Sequence, residues 1–167
     1  MSNSAKDMKD PSADPLAGIE LLKGLDRKEM KKLRDFFHLR KYSAGDTVFS
    51  EGDPGLGIYM ILKGAVSIAK NEQGQVSQVD RIGPGEVCGF QALLEKDYRD
   101  ISARAAEDSE VVVIFRPDVE HVFKIDPSLG VKMLLNLAGI MEKKIKKLNT
   151  ELAAAQKKAA SEDSRTF

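Results

Sequence analysis

From Lys41 to Val87 the chain reads KYSAGDTVFSEGDPGLGIYMILKGAVSIAKNEQGQVSQVDRIGPGEV. Three apolar, β-branched words stand in this stretch: DTVF at 46–49, IYMIL at 58–62 and AVSIA at 65–69. The turn signals SAGD, EGDPG, LKG, NEQG and GPGE separate them about every ten residues. A further word, SEVVVIF, follows at 109–115, and a single helical word, QALLEK at 91–96, interrupts the β pattern. Short strands at this spacing with this punctuation point to an antiparallel sandwich or barrel.

Helical patterns flank the β region. In LAGIELLKGLDRKEMKKLRDFF, apolar residues recur at Ile19, Leu22, Leu25, Met30, Leu33 and Phe37. Asp26 with Glu29 has the spacing of a capping box. The pattern predicts N-terminal packing helices with a solvated lysine face. Pro117 and Pro127 each suit a helix start, the second directly after the N-cap residue Asp126.

From Pro127 to about Lys158 nothing breaks the run. Leu134, Ala138, Met141, Ile145, Leu148, Leu152 and Ala155 alternate spacings of four and three, a heptad seam. Ala138, Ile145 and Leu152 take the a-like places, and Ile at a with Leu at d leans toward a parallel pair. The seam is narrow beyond residue 141 and lies in the strongly charged word EKKIKKLNTEL. A homodimer joined by this helix is expected, against the alternative that the stripe packs on its own domain. Lys143, Lys144, Lys146 and Lys147 read as a solvated coiled-coil face. Glu142 and Glu151 dilute them and no aromatic accompanies them, so nucleic-acid binding is disfavoured.

Bulk composition narrows the class. The chain has 167 residues, 26 basic against 26 acidic side chains, and one cysteine, Cys88. Balanced charge gives no field for nucleic acid, and a lone cysteine excludes an internal disulfide. No run approaches a membrane span, and MSNSAKDMKDPSAD is no secretory signal. A cytoplasmic, soluble protein is expected, with disordered ends at 1–14 and 159–167, a β-roll domain with flanking helices at 15–125 and a long helix at 126–158. Metal binding is not expected: His38 and His121 are the two histidines, both read in helical flanks and far apart. No nucleophile elbow, P-loop or acid–base pair is present, so no catalytic residue is named and a non-enzyme is expected.

The order helix, β-barrel with one short inner helix, long helix resembles the cyclic nucleotide-binding domain superfamily. The resemblance runs from about Leu16 to Leu148 and rests on three words. KYSAGDTVFSEGD resembles the family's opening strand and Gly-Asp turn. GIYMILKGAVSI resembles its Tyr-x-Ile-x-x-Gly-x-Val segment. GPGEVCGFQALLEKDYRDISARA resembles its phosphate-binding cassette without gaps. The implied fold is mainly β: an antiparallel jelly-roll barrel with N-terminal helices and a long C-terminal dimerisation helix. By the same resemblance Gly89 falls on the glycine that lets backbone approach the ligand. Gln91, Ala92 and Leu93 fall on the short helix, and Arg99 on the arginine that grips the phosphate with paired donors. Ser102 is taken as a further pocket residue.

Two positions depart from the family pattern. Phe90 replaces the glutamate that holds the ribose 2′-hydroxyl, a bond worth about 1.5–3 kcal/mol. Asp100 replaces a small residue beside the phosphate and would repel an anion. Three readings of Arg99 stay open: a phosphate ligand, an anchor for another anion, or a member of an ion pair with Glu95, Asp97 or Asp100. Phe90, read as facing the barrel interior, either fills the core or lines the pocket. Cys88 reads as a buried, inert thiol in preference to a redox sensor. The expected function is a stand-alone regulatory module whose ligand, where one binds, is a cyclic nucleotide or another small anion, and whose signal passes to a protein partner. No DNA-binding domain is expected after the long helix. The alternatives are a scaffold with a closed pocket, and cAMP or cGMP binding in a different pose.

Overall fold

A computed structural model of the protein describes residues 14–93 and 98–163. Eight strands alternate with loops: β1 (Phe37–Tyr42), β2 (Thr47–Phe49), β3 (Gly57–Lys63), β4 (Val66–Glu72), β5 (Gln75–Ile82), β6 (Val87–Cys88), β7 (Ser102–Ala105) and β8 (Ser109–Phe115). They form two antiparallel four-stranded sheets, ordered β1-β8-β3-β6 and β2-β7-β4-β5. This strand order is that of a jelly roll, as the β words and the resemblance imply. The helices are α1 (Arg27–Arg34), α2 (Arg116–Ile125) and α3 (Pro127–Asp163), with 3-10 turns at Glu20–Leu22 and Phe90–Leu93.

The first sheet is covered on both faces. Alternate residues of β3 and β8 go opposite ways: Ile58, Met60, Val112 and Ile114 join the helices, while Tyr59, Ile61, Val111 and Val113 face the second sheet. Burial on both faces requires a continuous apolar run, which is why SEVVVIF reads as it does. At the β3–β4 turn Gly64 has φ +81°, and a Cβ there would lie 2.5 Å from the Asp108 carbonyl oxygen. Only glycine fits such a turn.

The helical layer is set by caps and a buried stripe. Asp26 accepts from the Lys28 and Glu29 amides, and Glu29 accepts in return from the Asp26 amide, completing the expected capping box. The Leu129 amide donates to the Asp126 carboxylate at 3.1 Å, so α3 starts where the Asp-Pro pair places it. Leu129, Met133, Leu137 and Ile140 of α3 are buried in the helical cluster. At about 1.5–3 kcal/mol for each fully buried side chain, these four fix the first half of α3 to the barrel.

Three expectations need correction. The N-terminal helical pattern does not run to Phe37: α1 ends at Arg34, and Phe37–Tyr42 is strand β1, paired with Ile114–Ser109. His38 therefore sits on a strand, its ring 5.0 Å from that of Phe115, while His121 is helical as expected. The long helix extends past Lys158, to Asp163. Among the described residues no helix is long and apolar enough to cross a membrane. Nor does any cluster of three or more His, Cys, Asp or Glu among them have metal-binding geometry.

Candidate functional site

Arg99 is 8% exposed and turns inward, between the two sheets. Its guanidinium carbon lies 3.9 Å from the centre of the Phe49 ring and 5.3 Å from that of Tyr59. One of its nitrogens donates to the Gly57 carbonyl at 3.3 Å. Its own backbone is pinned at the barrel rim, where the Arg99 amide donates to the Asp53 carbonyl and the Gly52 amide to the Arg99 carbonyl, each at 2.8 Å. Both ends of the residue are thus held, and the cation sits at a defined point inside the roll.

Gly89 packs against that point. It has φ +76°, and a Cβ there would stand 2.9 Å from the Arg99 guanidinium, 3.0 Å from the Gly57 carbonyl oxygen and 3.1 Å from the Tyr59 ring. The backbone between β6 and the 3-10 turn at Phe90–Leu93 therefore passes directly over the guanidinium. The resemblance implies approach of this backbone to a ligand; what the structure shows is its approach to Arg99.

Among the described residues no carboxylate pairs with Arg99. The proposed ion pair with Asp100 is not formed: Asp100 is exposed at the rim while the Arg99 side chain points inward. Glu95 and Asp97 lie outside the described residues. Among the described residues this buried cation has the Gly57 carbonyl, the Phe49 and Tyr59 rings and the Tyr59 hydroxyl beside it, and no carboxylate to balance its charge.

Burial pushes the Tyr59 hydroxyl above its usual range, with the Arg99 charge beside it pulling partly back. Burial also pushes the Cys88 thiol up to about 12, so at neutral pH it is a protonated, buried group.

The other named positions separate into two sets. Phe90 does not enter the barrel: it is half-buried and packs on the helical cluster, the opposite side from Arg99. The expectation that it fills or lines the interior is corrected, and no acid takes its place there among the described residues. Gln91 is exposed, and Ala92 stands in the 3-10 turn. Ser102 begins β7 at the rim, where its hydroxyl accepts from the Glu51 amide at 2.9 Å. Phe49 and Tyr59, the ring partners of Arg99, were not singled out from sequence. Their inward register on β2 and β3 is the signal that could have found them.

The seam of α3 lies on a second face of that helix. Leu134, Ile145, Leu148 and Leu152 are 44%, 55%, 59% and 58% exposed. Ala138 is exposed and Met141 half-buried. At 3.6 residues per turn this stripe is roughly 120° around the helix from Leu129, Met133, Leu137 and Ile140. Apart from Met141, which packs at the edge of the helical cluster, the stripe is therefore not the surface that α3 uses against its own domain.

Comparison with known proteins gives one consistent result. The family model for the cyclic nucleotide-binding domain matches residues 39–126. The cyclic AMP receptor protein of Thermus thermophilus is 30% identical over 138 residues, 82% of this chain and 62% of that protein. The cAMP-dependent protein kinase regulatory subunit of Mycosarcoma maydis is 30% identical over 134 residues, 78% of this chain and 24% of that protein. The chain thus spans less than two thirds of either relative. Among solved structures, the Thermus thermophilus catabolite activator protein aligns with a TM-score of 0.69 at 29% identity, covering 82% of this chain and 63% of that one. A cyclic nucleotide-binding domain from Methylobacillus flagellatus has a TM-score of 0.72 at 21% identity, covering 80% and 75% of the two chains, and so shares the fold.

Proposed function

The chain belongs to the cyclic nucleotide-binding domain family, and on that premise we propose that it is a regulatory module that takes a small anionic ligand at Arg99. The reading is carried by one observation: a buried guanidinium faces no carboxylate among the described residues and is covered on one side by the bare backbone of Gly89. An anion supplies the missing charge and accepts the unused donors. With Phe90 turned to the helices, the sugar acid of the family pattern has no counterpart among the described residues. Losing such a bond weakens a nucleoside cyclic phosphate by about 1.5–3 kcal/mol. The ligand is therefore gripped mainly through its anionic group.

The module pairs with a second copy through the exposed stripe of α3 and passes its signal to a protein partner. The stripe supports pairing because it is apolar and its members Leu134, Ile145, Leu148 and Leu152 are exposed, with Met141 alone of the seam packed on the parent domain. The module acts by binding and needs no chemical step.

A thermal-shift series tests the ligand. cAMP, cGMP, a cyclic dinucleotide and inorganic phosphate are each added at about 1 mM. A ligand at 100 times its dissociation constant adds about 2.7 kcal/mol of stability. The expected result is a shift with at least one anion that disappears in Arg99→Met. No shift with any of them overturns the anion reading. It would favour a scaffold with a closed pocket, a reading supported by the stacking of Arg99 on Phe49.

A further inference from the structure

The two halves of α3 are held to the barrel by different forces. Up to Ile140 the contact is packed and apolar. Met141 is half-buried at its edge, and beyond it Ile145, Leu148 and Leu152 are exposed. What joins the next stretch to the barrel is ionic. Lys144 and Lys147 both reach Asp80 of β5, each at 2.9 Å. Lys143 reaches Glu20 at 2.6 Å.

Asp80 is the centre of this arrangement. Its carboxylate accepts from two turns of α3 at once, and also from its neighbouring Arg81 amide at 2.9 Å. It pairs with Ile68 of β4, next to the register shift between Ile68 and Ala69. Glu86 and Val87 line the same hollow as the three lysines. Asp80 thus ties two turns of the helix to a strand far away in sequence.

We propose that Asp80 is a positioning residue that clasps residues 141–152 of α3 to the barrel, and that this joint is ionic and salt-labile where the first half of α3 is packed and rigid. The clasp sets the angle at which the exposed stripe leaves the domain. It depends on neither the ligand nor the second chain, so it stands or falls apart from the function proposed above. Its position gives it reach. The hollow ends at Val87, and the next residues along the chain, Cys88 and Gly89, run to Arg99. The strand that passes over the anion site therefore also borders the clasp.

The test measures the angle directly. Nitroxide labels are placed at Val76→Cys on β5 and Thr150→Cys on α3, both exposed. Cys88 is buried and takes no label. Labelled chains are exchanged into an excess of unlabelled ones, so each assembly carries one labelled chain and the distance is intramolecular. The parent is expected to give one narrow distance distribution at low salt. That narrow peak should be lost in D80N, in the double variant K144Q/K147Q, and in the parent at 1 M salt, where the Debye length is about 3 Å. Lys146→Gln is the control, because Lys146 is exposed and pairs with Glu142 on the same helix. Circular dichroism checks that each variant is folded. The clasp is overturned if the narrow peak survives in both D80N and K144Q/K147Q, or if Lys146→Gln removes it equally.

Discussion

Replacing Arg99 by methionine should leave the ligand-free protein as stable as before, or slightly more stable. The side chain is 8% exposed, so folding takes its charge out of water. After relaxation that costs several kcal/mol for one ion. Two contacts offset it. The Phe49 ring at 3.9 Å returns about 0.5–2 kcal/mol. The bond from the charged guanidinium to the Gly57 carbonyl at 3.3 Å returns about 1.5–3 kcal/mol. Methionine keeps the apolar stem and discards the charge. The expected net change lies between zero and about 1 kcal/mol of added stability, or about 0–4 °C in Tm for a chain of this size. Scanning calorimetry in a buffer whose only anion is chloride measures it. Had the guanidinium a buried carboxylate partner, removing it would strand that acid and cost about 3–5 kcal/mol. A fall in Tm of more than about 6 °C would therefore refute the reasoning.

Ile145→Asp places a charge in the middle of the exposed stripe and should convert a dimer to a monomer in sedimentation; an unchanged mass rejects the seam. Gly89→Ala forces an L residue to φ +76° with a methyl 2.9 Å from the guanidinium. The left-handed backbone alone costs about 1–2 kcal/mol, so Tm should fall by about 2–8 °C and any anion-induced shift should vanish; an unchanged melt counts against the close approach. Burial draws the Asp80 carboxyl upward, but the Lys144 and Lys147 hydrogen bonds together hold it below the ordinary 3.8. Its contribution is therefore complete above pH 3.8 and is lost as pH falls through the lower folded-state value. D80N should abolish that part of the acid-side stability loss in calorimetry between pH 5 and pH 2, and identical profiles would contradict it. Phe90→Glu should destabilise by about 1–3 kcal/mol, because its carboxylate meets apolar helix contacts, and should bring no gain in the cAMP shift; a larger shift would place residue 90 in the pocket.

The β core was legible where the physics is local or one-sided. SEVVVIF matches β8 residue for residue, because a strand buried on both faces must be apolar throughout. The capping box and the Asp-Pro start of α3 were legible because a cap needs only a few neighbouring residues. β1 was hidden because FHLRKY carries Arg40 and Lys41 to solvent and directly follows a helix. What makes it a strand is its pairing with β8, some 70 residues away. β5 was hidden for the opposite reason: QVSQVDRI is an edge strand, with Val76 and Val79 69% and 51% exposed, so no apolar pattern marks it.

The site was legible in residue type more than in direction. Gly89 and Arg99 could be placed by resemblance to a known cassette, but the face on which each side chain falls is a property of the sheet. Phe90 shows the difference. As a letter it stands where an acid would hold a sugar; in the fold it packs on the helical cluster. The chain thus has an apolar link to the helices directly after a backbone that crosses over Arg99. An anion drawn to that guanidinium would press on Gly89. Gly89 is joined through Phe90 to the helical layer and through Cys88 and Val87 to the border of the Asp80 clasp. Motion follows ligand only where two arrangements bind it unequally. The structure holds α3 by packing up to Ile140 and by ion pairs at Lys144 and Lys147 beyond it, so the second half is the part that such an inequality would move.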